Sequence, residues 1–403
     1  MTMEKIKKWA DEYLQGDRVI WAVVFLLSAI SILVVYSSIG SLAYRNEAST
    51  ESILFRHAMM ILAGLVVMWF AHKIDYRFYS KISRVGLWLS VPLLLYTFKF
   101  GVSINDASRW IQIPFIGHNF QPSDFASLML IINLASMLSK KQDDIESVQD
   151  ALIPMLLWSG LICALIGLSN ISTAMLLFAT CILLMFIGRV PMKYLVMLLM
   201  VGALAGTSMF YLGNRGGTAV SRVKDFVAVV KGEAEPGFQA KHGLIAVASG
   251  GITGKGPGNS DQRNILPSPF SDFIYAIIIE EYGMIGGFLV LILYIIFLHR
   301  GMKAAYNSDR AFGGLLSAGL SFDLVCQAMV NMGVVVQLGP ITGQPLPFMS
   351  WGGTAMIFNG LAAGIILSVS RGDQDKSWVD SSEGEAEAEP VNNPPKPFQT
   401  KAA

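Results

Sequence analysis

About ten stretches of roughly twenty mostly apolar residues recur along this chain, each long enough to cross the hydrocarbon core of a bilayer. They fall at about 19–38, 54–72, 82–98, 122–139, 151–168, 171–188, 194–212, 273–298, 312–336 and 350–370. That core holds no water, so a single spanning segment must close its backbone hydrogen bonds within itself, which a helix does. The predicted fold class is an all-α polytopic membrane protein with about ten transmembrane helices. Composition agrees, with 15% of residues charged against about 25% in soluble domains. The fifth and sixth segments are separated only by Ser169 and Asn170, which predicts a tight helical hairpin.

Lysine and arginine set the orientation of such a bundle. With the N-terminus inside, the inner connections hold Lys73, Arg77, Lys81 and Arg84, then Lys140 and Lys141, then Arg189 and Lys193. They continue with Arg300, Lys303 and Arg310, then Arg371 and Lys376. The short outer loops hold only Arg45, Lys99 and Arg109. Both termini are therefore predicted to be cytoplasmic. Residues 1–18 form a short leading segment, 19–371 the membrane domain and 372–403 a disordered tail of acidic residues and prolines that cannot bury enough apolar surface to fold. The first apolar run is longer than a signal-peptide core and reads as a retained helix. Cys163, Cys181 and Cys326 sit inside apolar runs without metal-type spacing and read as core residues. A net charge of +1 carries no nucleic-acid signal, and no nucleic-acid partner is expected.

One connection is long, about 213–272, and falls outside. Its basic content does not overturn the orientation, because long loops cross largely regardless of charge. Val220, Val223, Phe226, Val227 and Val230 recur at helical spacing, predicting an amphipathic helix in the outer interface or a packed re-entrant segment. The run Ser249 to Gly256 lacks the first glycine and the last hydroxyl of a P-loop. Its glycines allow close approach to an anion, or simply a flexible loop.

Polar groups beside membrane helices are costly and often functional. Asp272 stands at the outer end of the eighth segment, with Glu280 and Glu281 about two turns deeper. A helix-terminal charge favoured by the macrodipole is the plain alternative for Asp272. Arg109 and Trp110 serve as an interfacial anchor or as a contact to a lipid-linked anionic head group. Asp124, after Pro122 and Ser123, suits helix capping. Asp323, Gln327 and Asn331 share one helical face and predict polar interhelical contacts. Between Pro340 and Gly353 three prolines forbid a continuous helix. Backbone this irregular at membrane depth must be buried or line a cavity.

The segment Pro340-Ile341-Thr342-Gly343-Gln344-Pro345-Leu346-Pro347-Phe348-Met349-Ser350-Trp351-Gly352-Gly353 resembles the signature Pro-Val-Thr-Gly-x-Pro-Leu-Pro-Phe-x-Ser-x-Gly-Gly of the SEDS family of peptidoglycan polymerases. Three further motifs match in order: Arg109-Trp110-Ile111, Phe120-Gln121-Pro122-Ser123, and the run from Gly254 through Asp272-Phe273-Ile274-Tyr275-Ala276 to Glu280-Glu281-Tyr282-Gly283. The resemblance covers about residues 19–371 and is nearest to the division branch; Gly16 to Trp21 looks like its Bacteroidetes-type members.

The resemblance implies a bacterial inner-membrane enzyme, at the division septum, that polymerises lipid II into glycan strands on the outer face. It would work with a class B penicillin-binding protein and other division proteins. Asp272 resembles the family's essential loop carboxylate, suited to act as general base on a sugar hydroxyl. The departing diphosphate needs positive groups, for which Lys255, Arg222 and Arg215 are candidates, or a divalent cation such as magnesium or manganese. No metal ligands are assigned. Substrate contacts are expected among Arg109, Trp110, Asp124, Arg215, Arg222, Lys255, Glu280, Glu281, Thr342, Pro345 and Ser350. The chain departs from the pattern where Asp124 replaces a glutamate, Ser127 a lysine, Trp351 a tyrosine and Ala355 a serine. The missing lysine leaves the charge partner of Asp272 open. A lipid II flippase and a non-catalytic division scaffold are the alternatives. A transporter needs polar groups around a midplane site, whereas these motifs gather at one face.

Overall fold

The computed structural model of the chain describes residues 13–39, 49–104, 107–112, 119–142, 152–212 and 216–387. All ten apolar segments are helices: α1 Arg18–Ser38, α2 Thr50–Lys73, α3 Tyr76–Phe100, α4 Pro122–Lys140, α5 Ile153–Ser169, α6 Ile171–Ile187, α7 Met192–Leu212, α10 Ile274–Asn307, α11 Ala311–Val335 and α12 Ala355–Glu387. Six are long and apolar enough to cross a membrane by length and composition, and α5, α6 and part of α7 are shorter apolar helices. Leu33, Phe55, Leu62, Phe70, Val85, Trp88, Ile285 and Phe288 face outward. So much contiguous apolar surface suits lipid and not water. The protein is a multi-pass membrane protein.

The helix starts follow local chemistry. Asp17 caps α1 by accepting from the N–H groups of Val19 (2.8 Å) and Ile20 (3.3 Å). Its other carboxylate oxygen pairs with Arg300 at 2.6 Å, and its own N–H donates to Ser370 Oγ at 3.0 Å. The leading segment is thereby tied to α10 and α12. Asn170 ends α5 and caps α6, as the hairpin reading requires. Helix α12 continues past its apolar part, Ala355–Gly372, to Glu387. Composition alone leads one to expect ordered backbone to stop near 372, but alanine and glutamate favour a helix and no proline intervenes before Pro390.

Packing is tightest where side chains are smallest. Helices α2 and α12 lie against each other. A Cβ on Gly360 would sit 2.2 Å from the carbonyl oxygen of Gly64, and one on Gly364 2.6 Å from that of Met68. This small-x-x-x-small pattern lets two helix backbones touch, the usual route to association in lipid.

Two features were not foreseen, a small sheet and a helix in the long outer connection. An antiparallel sheet of β1 Val102–Ile104, β2 Ala107–Gln112 and β3 Asn119–Phe120 follows α3. Within 213–272, α8 Gly216–Val230 is the expected amphipathic helix. Its Val223, Val227 and Val230 are left exposed by the protein, which favours the interfacial reading over a packed segment. A further helix, α9 Phe238–Gly250, then packs along α10.

Helix α10 is broken at Gly283 (φ 69°, ψ −173°). The glycine-containing loop after α9 repairs the break. Lys255 and Gly256 N–H groups donate to the carbonyls of Glu280 and Glu281 (both 2.9 Å), and Met284 N–H donates to that of Gly251 (2.9 Å). Side chains do not fit there: Cβ atoms on Gly254 and Gly283 would lie 2.2 and 2.1 Å from opposing carbonyl oxygens. These glycines serve backbone-to-backbone contact, so close approach to an anion is not needed to explain them.

Candidate active site

Asp272 lies in the turn before α10, at the end of the bundle that carries the sheet, α8 and α9. Three irregular pieces of backbone meet around it. Asn331 of α11 donates through Nδ2 to the carbonyls of Asp272 (2.9 Å) and Gln344 (2.7 Å). Gln327, one turn away, donates to that of Pro345 at 3.1 Å. Ser350 Oγ accepts from Leu346 N–H (2.7 Å) and donates to Ser271 O (2.5 Å), while Trp351 N–H donates to Phe270 O (2.8 Å). Gln344 Nε2 reaches Thr173 of α6 at 2.8 Å. The polar face of α11 thus serves the loop 340–353 as well as helix contacts, the latter through Asp323, which accepts from Thr180 at 3.3 Å. Gly343, with φ 65°, lies against the Asp272 carboxylate: a Cβ there would stand in ordinary contact, 3.8 Å from Oδ2.

Deeper support comes from His57, which sequence reasoning passed over. Ser31 Oγ donates to Met349 O (2.7 Å) and lies 2.8 Å from His57 Nε2. Its one proton is committed to Met349, so the hydroxyl oxygen accepts from His57 Nε2–H. The His57 ring stacks on Trp351 with centroids 5.5 Å apart. Tyr294 hydroxyl donates to Pro347 O. Side chains of α1, α2 and α10 therefore hold the proline-rich loop in a single path.

Burial raises the Asp272 carboxyl to about 6; Arg222 and then Arg109 act on it in the opposite direction. Among the described residues no cation forms an ion pair with it. Arg222 Nη1 donates to Ile341 O (3.2 Å), bringing α8 onto the loop, and Arg109 Nε donates to Ser169 O (3.3 Å) at the end of α5. Trp110 is half-buried beside Arg109 on β2, and Thr342 is half-buried in the loop.

Other candidates lie apart from this frame. Glu280 is fully buried and accepts from Lys255 Nζ (2.7 Å), Ser249 Oγ (3.2 Å), Asp261 N–H (3.2 Å), Gln262 N–H (3.3 Å) and Ser260 Oγ. Lys255 also pairs with Asp261 at 2.8 Å, and both carboxylates raise its ammonium. Glu281 accepts from Ser37 and is likewise buried. Asp124 lies in the first turn of α4 and accepts from the side chain of Gln121, Nε2 at 2.8 Å, while the cap residue Gln121 makes no side-chain capping bond, so Asp124 does not cap the helix as expected; the charge near it is Asp323. Ser127 Oγ is buried without a partner. Arg215 lies outside the described residues. Among the described residues no group of three or more His, Cys, Asp or Glu is placed to hold a metal ion.

A many-helix membrane bundle with a carboxylate held in a proline-rich re-entrant frame defines the class. The family described as "Cell cycle protein" (FtsW/RodA/SpoVE) matches residues 17–375. Stage V sporulation protein E of Bacillus subtilis is 32% identical over 88% of this chain and 97% of its own length. A protein of Haemophilus influenzae named probable peptidoglycan glycosyltransferase FtsW is 31% identical over 91% of this chain and 95% of its own. A chain of a peptidoglycan synthase complex superposes with TM-score 0.70 at 23% identity, covering 89% of this chain and 98% of that one. The rod shape determining protein RodA of Thermus thermophilus does so with TM-score 0.62 at 23% identity over 89% and 98%. The two structures speak to fold. The chain belongs to the FtsW/RodA/SpoVE family.

Proposed function

We propose that the chain is a peptidoglycan glycosyltransferase, polymerising lipid II into glycan strands at the outer face of the bacterial inner membrane with Asp272 as general base. The carrying observation is the state of Asp272. It is rigidly framed, lacks an ion-pair partner among the described residues, and has a carboxyl near 6. At neutral pH it is ionised yet basic enough to take a proton from a hydroxyl, the range a general base works best in. The acceptor hydroxyl loses its proton to Asp272 as its oxygen bonds to the anomeric carbon. The bond from that carbon to the diphosphate breaks, and the polyprenyl diphosphate leaves with the electron pair. Arg222 and Arg109, held by backbone carbonyls near Asp272, are placed to offset the departing charge. Ser350 and Pro345 act through the loop they anchor, with Trp110 and Thr342 beside the substrate path. The likeness to proteins named probable peptidoglycan glycosyltransferase FtsW supports the reaction.

A class B penicillin-binding protein and other division proteins are the proposed partners, a septal site the location, and both termini cytoplasmic. The likeness to a chain of a synthase complex and the lysine and arginine bias support this. Cysteines at Val230 or Ile252 should react with an impermeant thiol reagent in spheroplasts, and one at Tyr306 should not. The functional test supplies labelled lipid II to purified protein, with and without the penicillin-binding partner, and looks for glycan strands. Strands are expected. Lipid II crossing proteoliposomes without strands under either condition overturns the reading in favour of a flippase.

A further inference from the structure

At the end of the bundle opposite Asp272, helix ends from three parts of the chain surround a cavity of about 340 Å³. Helix α10 separates the two regions: its part after the break at Gly283, residues 284–307, spans roughly 36 Å at 1.5 Å per residue. The walls come from the start of α3, the α10–α11 connection and the last turn of the α12 span, and they include Arg77, Arg310 and Arg371. Asp75 and Asp309 also line it, leaving a positive balance of charge. Asp75 is occupied locally: it caps α3 by accepting from Arg77 N–H at 2.9 Å and stands 3.7 Å from that guanidinium. Arg371 donates through Nη1 to Lys73 O at 3.2 Å, which aligns its fork while leaving further N–H groups to give.

The cavity also receives a helix N-terminus. The cap of α11 is Arg310, a residue of the cavity wall whose side chain makes no capping hydrogen bond. A Cβ on Gly313 would stand 2.3 Å from Ser308 Oγ and 3.1 Å from the Tyr76 ring, so these two wall side chains pack directly on the start of α11. A helix N-terminus favours an anion, and arginine forks match phosphate oxygens in pairs. The walls lie where helices leave the membrane, the depth at which basic pockets between spans meet lipid head groups.

We propose that this cavity binds a phosphate anion, with Arg310 and Arg371 as its principal ligands. Anionic lipid and soluble phosphate ester share that chemistry, and the site is independent of the polymerase reading. Native mass spectrometry of the full-length protein in neutral detergent tests it, titrating phosphatidylglycerol, glycerol phosphate and, as background, phosphatidylcholine. The wild type should hold one phosphatidylglycerol above the phosphatidylcholine background. Arg310→Gln and Arg371→Gln should each weaken it by roughly tenfold, the loss of a charge-assisted hydrogen bond. Lys140→Gln, on the same face but outside the cavity, should not. Equal binding of glycerol phosphate, with the same dependence on the arginines, would keep the site and name a soluble ligand. Wild-type protein that holds neither probe above background overturns the proposal. So do arginine variants that melt and bind like wild type.

Discussion

Asp272 and Glu280 are carboxylates of one short stretch of chain, and the protein treats them oppositely. Glu280 is saturated: a lysine, two serines and two backbone N–H groups close around it. It fastens the loop after α9 to the broken α10, where backbone groups near Gly283 would otherwise face an apolar interior. Asp272 has its backbone fixed by Asn331 while its carboxylate is left without an ion pair among the described residues. The same residue type is thus a rivet in one place and a reagent in the other. A charge with all its acceptor sites filled stabilises structure; a charge held in place without an ion pair is available for chemistry.

The largest expected effect lies at Asp272. Asp272→Asn keeps size and removes basicity, so turnover should fall by roughly 10²–10⁴-fold with folding retained. Asp272→Glu should rescue little, because one methylene displaces the acceptor oxygen from the attacking hydroxyl. Glu280→Gln should do the reverse. Its amide accepts at one oxygen only, and each donor left buried and unmet costs about 1–3 kcal/mol. The melting temperature should drop by several degrees, while activity per folded molecule stays within a few-fold. A Glu280→Gln protein as stable as wild type but inactive would dissolve the contrast.

pH sharpens it further. As a base, Asp272 works when ionised, so activity should rise with pH through about 6. The stability effect has the other sign. The folded state raises this carboxyl above its ordinary 3.8, so its stabilising contribution is full below about pH 4 and lost as pH rises through about 6. Asp272→Asn should therefore melt above wild type at pH 8 and level with it at pH 4. The smallest effect is expected at Asp261, whose exposed side chain only pairs with Lys255. Asp261→Asn should leave strand formation and melting unchanged.

The helices were legible because each apolar run carries its own length and ends; Asp17, Asn170 and Pro122 mark starts that the backbone uses. Asp272 and the loop 340–353 stood out through prolines and a charge at a helix boundary. The partners were not legible. His57 reaches Met349 through Ser31, and Lys255 reaches Glu280, across separations that no local pattern encodes. The sheet was missed because its strands are only two to six residues long; Val102 and Ile104 alternate with polar residues too briefly to read. Helix α9 was hidden because the face it buries, Ala240, Gly243, Ala246 and Gly250, is made of small residues that give only a weak apolar period.

The central claim is that Asp272 performs chemistry while Glu280 holds structure. The direct test compares glycan-strand formation over time from labelled lipid II, at equal amounts of folded wild type, Asp272→Asn and Glu280→Gln, with the penicillin-binding partner present. The account predicts strands from wild type and Glu280→Gln and essentially none from a well-folded Asp272→Asn. Strand growth by Asp272→Asn at the wild-type rate would contradict it and reduce Asp272 to a helix-terminal charge.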